Sequence, residues 1–279
     1  METKSKELRR VTSRQNGLVK DLRRAFTQAV LTEDGHCAAE GVRVVEEAIR
    51  SGRKLKAVFV RESNAERANP LLPQLGSHTE TVMLPDDVFD SAVLSDTPQG
   101  VAALVKIESA ALKQVLAFDG ALVLAVAGLQ DPGNLGTLIR SAEAFGASAV
   151  LIGSGTVSPW NSKVIRGSSG SIFRMPVISG PLITAFEALR QSGYRVVATS
   201  SHRGTLLPDA DLGGGTVVVI GNEGAGIARE LMPFVDETIV IPQSSKVESL
   251  NAGIAGSIIL YEAARQRTGE PQRRRDTED

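Results

Sequence analysis

The stretch ALVLAVAGLQDPGNLGTLIRSAEAFGASAVLI, residues 121–152, decides the fold. Residues 121–127 form a continuous apolar run of the kind buried on both faces of a parallel sheet. A glycine-containing loop follows, then a helical pattern over 134–145 and a second apolar run over 149–152. Strand, helix and strand at this spacing predict a crossover unit, and the alternation continues downstream. Helices are predicted over 162–168, 181–191, 228–232 and 249–267, and strands over 195–199, 216–220 and 238–241. The expected architecture is an α/β domain, residues 121–267, with a mainly parallel sheet, helices on both faces and ligands at the carboxyl ends of its strands.

Upstream, residues 1–107 read as a smaller α/β domain. Leu8, Val11, Leu18, Leu22 and Ala25 recur at helical spacing, interrupted near Gln15-Asn16-Gly17, which predicts one or two short basic helices. Residues 36–40 lead into a helix through Val44, Val45, Ala48 and Ile49. Strands are predicted over 56–60, 81–84 and 101–107, with a helix over 64–75 that Pro70 and Pro73 interrupt and another opened by Pro85. Residues 108–120 read as a linker, and 268–279 as a charged, disordered tail.

The 279 residues, 42% of them hydrophobic, suffice for two cores. No apolar run reaches the ~18 residues of a membrane span and the opening METKSKELRR is charged, so a cytoplasmic protein is expected. The single cysteine, Cys37, excludes an intramolecular disulfide, and with only three histidines no metal is expected. The net charge of −1 is unevenly distributed. The first 24 residues hold eight bases against three acids, an excess of +5, whereas residues 25–264 carry −7. A focused basic segment can bind polyanions, and a solvated helix face gives the same count.

Three loops at predicted strand ends concentrate glycine and polar residues. In the first, Gly133 and Gly136 flank Asn134, and Arg140 follows six residues later. Asn134 reads either as a helix cap or as a ligand contact, and Arg140 either as a surface ion-pair residue or as an anion contact. The second, IGNEGAGI (residues 220–227), leaves backbone groups open to a ligand; a tight turn accounts for its glycines but not for Glu223. Its G-x-x-G-x-G spacing is not the dinucleotide fingerprint and no P-loop occurs, which argues against a nucleotide-dependent oxidoreductase. In the third, residues 241–267, Glu248 or Ser249 starts a helix expected to pack Ile254, Ile258, Tyr261 and Ala264 inward, with Asn251 on its first turn. Gly253, Ala255, Gly256 and Ser257 permit close packing against the sheet or across a dimer interface.

Asn134-x-Gly136-x-x-x-Arg140, then Gly221-Asn222-Glu223-Gly224-x-Gly226, then Ile241-Pro242 with Glu248-Ser249-Leu250-Asn251, resemble the three motifs of the SpoU (TrmH-type) RNA ribose 2′-O-methyltransferases of the SPOUT superfamily. The resemblance covers about residues 121–267, and residues 159–177 are similar to the family's middle segment. It implies a C-terminal trefoil knot, S-adenosylmethionine bound within it, and a homodimer formed through knot-region helices. By the same resemblance the cofactor is held by Thr199, Ser200, Ile220, Gly221, Ile241 and Leu250. The N-terminal domain is similar in layout to the ribosomal-protein-like, RNA substrate-binding domain of many members. Gln243, Ser245 and Ala252-Gly253 depart from residues common in the family, which bears most on the loop around Ser245.

The resemblance implies that Arg140 contacts the target phosphate or 2′-oxygen, that Asn134 and Glu223 shape the site, and that Ser249 and Asn251 orient substrate and loop. A guanidinium is effectively never neutral, so Arg140 is expected to stabilise developing alkoxide charge rather than to take the proton. Arg9, Arg10, Arg14, Arg23 and Arg24, with Lys163, Arg166 and Arg174, are expected to follow RNA backbone. The expected substrate is ribosomal RNA, at a guanosine or uridine of the 23S molecule. The alternatives are transfer RNA, a non-catalytic RNA-binding or ribosome-assembly factor on the same fold, and a protein-methylating enzyme.

Overall fold

The computed structural model describes residues 8–267 apart from 94, 96, 119 and 245–248; Lys4, Lys6, Ser245, Glu248 and the tail over 268–279 lie outside the described residues. Two compact units divide the chain: residues 1–108 with 160–173, and residues 109–159 with 174–279.

The first unit contains β1 (Arg9–Arg10), α1 (Gly17–Gln28), β2 (His36–Glu40), α2 (Val42–Arg50), β3 (Leu55–Arg61), β4 (Glu80–Leu84), α3 (Asp86–Ala92) and β5 (Val101–Lys106). Its sheet runs β1-β4-β3-β5-β2, parallel from β1 to β3 and antiparallel at β5. Val19, Leu22 and Ala25 of α1 are buried in one cluster with Phe59, Leu84 and Phe89. The basic helix expected upstream of Gln15 is instead the short strand β1. Asn16 caps α1, its Oδ1 accepting the Leu18 N–H at 3.0 Å, which stops the helix there. The chain before it fills the edge of β4, pairing Arg9 with Val82 and Arg10 with Met83. Residues 62–68 and 72–74 form short 3₁₀ turns where an interrupted α-helix was expected, with Pro70 and Pro73 limiting their length.

The second unit contains α4 (Leu112–Leu116), β6 (Leu122–Val126), α5 (Pro132–Ala144) and β7 (Ala149–Ile152). Between β7 and the next strand the chain contributes α6 (Ser162–Gly167) to the first unit. Then follow β8 (Val177–Ser179), α7 (Leu182–Gln191), β9 (Arg195–Ser200), β10 (Thr205–Leu206), β11 (Thr216–Ile220), β12 (Glu237–Val240) and α8 (Ala252–Arg267). All seven strands are parallel in the order β10-β12-β9-β11-β6-β7-β8. Every residue of β6 is buried, as its unbroken apolar sequence requires. From β11 the chain crosses β9 to lay down β12, then returns across it to set α8 against α5 and β11. This double crossing lies where the resemblance places the knot.

The expected inward face of α8 is wrong by about one residue of rotation. Gly253, Gly256, Ile259, Leu260 and Ala263 are buried, while Ile254 and Tyr261 remain 53% and 54% exposed and Ile258 is also exposed. Small residues win the inward position because α5 approaches so closely that a Cβ at Gly256 would collide with Leu138. The Ser141 and Ser257 hydroxyls meet at 2.7 Å across the same contact.

Candidate active site

The site grows from the carboxyl ends of β9, β11 and β12, where parallel strands leave backbone groups unpaired. After β11, Asn222 folds its loop: its backbone pairs with Gly226 in both directions, at 2.9 and 3.0 Å, and its Oδ1 accepts the N–H groups of Gly224 and Ala225. The Asn222 amide donates to Gly128 O at 2.8 Å, tying this loop to the one after β6. Gly221 is required by close approach, since a Cβ there would come within 2.5 Å of the Gly226 carbonyl carbon.

Asp131, not Asn134, caps α5. Its Oδ1 accepts the Asn134 N–H at 2.6 Å, and Pro132 opens the first turn. Relieved of the capping role, the nearly buried Asn134 turns its amide to donate to Glu223 Oε1 at 3.2 Å. Asn251 stands just before α8 and accepts the Ile254 N–H on its Oδ1 at 3.2 Å, so this side chain starts the helix, in place of the expected Glu248 or Ser249. A Cβ at Gly253 would sit 3.2 Å from both the Asn134 and the Asn251 side-chain oxygens. Residues from all three motifs therefore converge. Arg140 is exposed on α5, about 120° around the helix from Asn134 at 100° per residue, and does not line the adjoining cleft.

That cleft has a volume of about 430 Å³ and is lined by Thr199, Ser200, Ile220, Gly221, Ile241 and Leu250, with Glu223 and Ser249 at the same opening. Its walls combine aliphatic side chains and glycine backbone with polar side chains, among them His202, Glu223, Gln243 and Ser249, and the Ser200 hydroxyl is engaged in accepting the N–H groups of His202 and Arg203. A nucleoside carrying a sulfonium suits such walls, because Ile220, Ile241 and Leu250 offer apolar surface to a ring while backbone and polar side chains beside them meet its polar edges. Among the described residues no group of three or more His, Cys, Asp or Glu side chains is arranged to hold a metal.

All but Lys163 of the basic residues singled out in the sequence are already engaged. Arg9 pairs with Glu80, Arg10 with Glu62, Arg14 with Asp87 and Arg24 with Glu33, at 3.4, 2.9, 2.7 and 3.0 Å. Arg23 donates to Ser91 O and Oγ, Arg166 lies 3.9 Å from Glu40, and Arg174 makes a two-pronged bond to Glu143. Lys163 is exposed on α6. The +5 counted along the first 24 residues is thus largely balanced in space by acids from distant segments, a cancellation that counting along the chain cannot show.

Comparison with known proteins gives this geometry a family. The model of the SpoU rRNA Methylase family matches residues 121–261, and that of the MRM3-like substrate binding domain matches residues 16–103. The chain is 30% identical to the 23S rRNA (guanosine(2553)-2′-O)-methyltransferase RlmP of Bacillus subtilis over 91% of its own length and 98% of the relative's. It is 29% identical to the 23S rRNA (uridine(2479)-2′-O)-methyltransferase of Streptomyces viridochromogenes, covering 85% of each chain. The crystal structure of an AdoMet-bound rRNA methyltransferase from Sinorhizobium meliloti superimposes with a TM-score of 0.78 at 29% identity, over 92% of this chain and 98% of that one. With three converging motifs, half the sequence inside the family's model and a relative aligned almost end to end, the chain belongs to the SpoU rRNA methylase family.

Proposed function

We propose that this enzyme methylates the ribose 2′-hydroxyl of one nucleotide, a guanosine or uridine, in 23S ribosomal RNA, as a cytoplasmic homodimer. The observation that carries the reading is the Asn134–Glu223 hydrogen bond beside a cleft of mixed polar and apolar lining at the strand ends. S-adenosylmethionine, when bound there, supplies an electrophilic methyl group. Thr199, Ser200, Ile220, Gly221, Ile241 and Leu250 would hold it through backbone and apolar surface. Asn134 fixes the Glu223 carboxylate at the opening, Ser249 faces the substrate side, and Asn251 positions the loop by capping α8.

A 2′-hydroxyl is a weak acid, so transfer needs alignment and a positive charge beside the oxygen as its proton leaves. Arg140 supplies that charge. Its place on α5, away from the cleft of its own chain, together with the exposed Ile254, Ile258 and Tyr261 on α8, supports a dimer in which Arg140 of a second copy completes the site. The ion pairs of Arg9, Arg10, Arg14 and Arg24 are solvent-exposed and screened, so exchanging their carboxylates for RNA phosphates costs little.

Mapping 2′-O-methyl positions in total RNA from a deletion strain identifies the target as one position lost from 23S ribosomal RNA; loss from transfer RNA alone overturns the substrate. The Arg140→Ala variant is expected to lose methyl transfer while retaining S-adenosylmethionine binding by calorimetry. Full turnover by that variant removes Arg140 from the mechanism.

A further inference from the structure

The loop over residues 221–227 has two sides. One closes the cofactor cleft. The other bounds a second cleft of about 300 Å³ across the carboxyl ends of β6, β7 and β8. Asn222, Ala225 and Gly226 line both, so a single loop separates them.

The second cleft has an unusual surface. Its floor is backbone: Gly128, Gly155 and Gly226 adopt φ of +81°, +75° and +69°, conformations that favour glycine and leave no side chain in the way. Two hydrogen bonds hold Gly128 in place, its N–H donating to Thr156 Oγ1 at 2.9 Å and its carbonyl accepting from Asn222 at 2.8 Å. A Cβ at Gly226 would meet nothing within 4 Å, so the space above that glycine is open. Leu182 and Leu231 form apolar walls, and Ile183 is 36% exposed beside them. Around the rim stand Gln130, Ser154 and Glu230, all exposed, and among the described residues none of their side chains has a hydrogen-bond partner.

An aliphatic slot with a smooth glycine floor and a rim of amide, hydroxyl and carboxylate suits a planar heterocycle whose edge carries polar groups. We infer that this second cleft receives the base of the nucleotide being methylated, and that Glu230 and Gln130 select guanine. The inference rests on the proposed RNA 2′-O-methyltransferase activity. In a nucleotide the base and the 2′-oxygen sit on adjacent ribose carbons, so an oxygen presented to the cofactor side of a one-loop wall leaves the base free to enter the other side. A base drawn out of its stack is read along its pairing edge. The Glu230 carboxylate only accepts, and the pairing edge of guanine offers two neighbouring donors, N1–H and the N2 amino group. Uracil presents one donor between two carbonyls, whose oxygens the carboxylate repels. The Gln130 amide can donate to guanine O6.

The test uses full-length enzyme and transcripts carrying each of the four bases at the mapped position. Wild type is expected to prefer guanine, and Glu230→Gln to reduce that preference in kcat/KM by about tenfold, the scale of one charged hydrogen bond, with unchanged S-adenosylmethionine affinity. Ile183→Trp, at an exposed wall, is expected to raise KM for the RNA whatever the base, because the indole fills the slot. A base preference untouched by Glu230→Gln, a wild-type preference for uridine, or an unchanged KM in Ile183→Trp overturns the cleft assignment while leaving the methyltransferase reading intact. No methyl transfer by wild type on any ribosomal RNA overturns both.

Discussion

Asn134 shows how far a residue's role is legible in sequence. Its position between two glycines at a strand end marks it, and the sequence leaves both a cap and a site residue open. Only the fold decides, because Asp131 three positions earlier takes the capping bond and leaves the Asn134 amide for Glu223. Asn134→Ala removes a hydrogen bond to a carboxylate, and such bonds contribute roughly 1.5–3 kcal/mol; methyl transfer measured by radiolabel incorporation is expected to fall at least about tenfold, with cofactor binding little changed. Cys37 makes the opposite point. The sequence marks it only as a lone thiol, whereas in the fold it is wholly buried in β2 and desolvation pushes its pKa up from 9.0 to about 12. The folded protein thus keeps the proton over a range in which the unfolded chain releases it, so this thiol adds no pH dependence below about pH 9 and lowers stability as pH rises from there towards 12. Urea midpoints at pH 8 and pH 10.5 are expected to differ more for the natural protein than for Cys37→Ala.

At the scale of elements, strands were easier to read than helix faces. The run over residues 121–127 has one interpretation, a strand buried on both faces, and β6 is that strand. The helix α8 is apolar on several sides, so periodicity could not choose which side faces inward. The choice falls to α5, whose approach admits only glycine at position 256. The segment over residues 9–10 was unreadable for a related reason: its strand pairing is set by the open edge of β4, some 70 residues away in sequence. Ile254, Ile258 and Tyr261 face outward, the surface on which the proposed homodimer contact rests, and Phe145 packs edge-on against Tyr261 at 5.7 Å. Ile258→Asp is expected to shift sedimentation from dimer to monomer and abolish methyl transfer, without loss of the monomer's helical circular dichroism signal. An unchanged dimer places the contact elsewhere.

For the whole molecule, residues 160–173 are the informative segment. They lie inside the stretch matched by the methylase family model, yet they belong to the first compact unit. There Val164, Ile165, Ile172 and Phe173 are buried, Arg53 Nε–H donates to the Phe173 carbonyl at 2.5 Å, and Arg166 approaches the buried Glu40. No local sequence signal announces this membership, because a short apolar helix looks the same whichever core receives it. Residues 1–108 expressed alone are expected to be poorly soluble or marginally stable, and adding a peptide of residues 157–175 in trans is expected to raise their melting temperature. A fragment of residues 1–108 that melts at the same temperature with and without that peptide assigns the segment no role in the unit's stability.

The same segment constrains how such a protein could have been assembled and how it can be rebuilt. A substrate-binding domain joined by one peptide connection can be exchanged by a single splice, as beads are exchanged on a string. Here the chain leaves the first unit after residue 108, comes back for 160–173 and leaves again. Swapping the first unit for that of a relative therefore demands three coordinated junctions, two of them within the stretch matched by the methylase family model. A chimera made at residue 108 alone would carry a foreign core beside the wrong fourteen-residue insert.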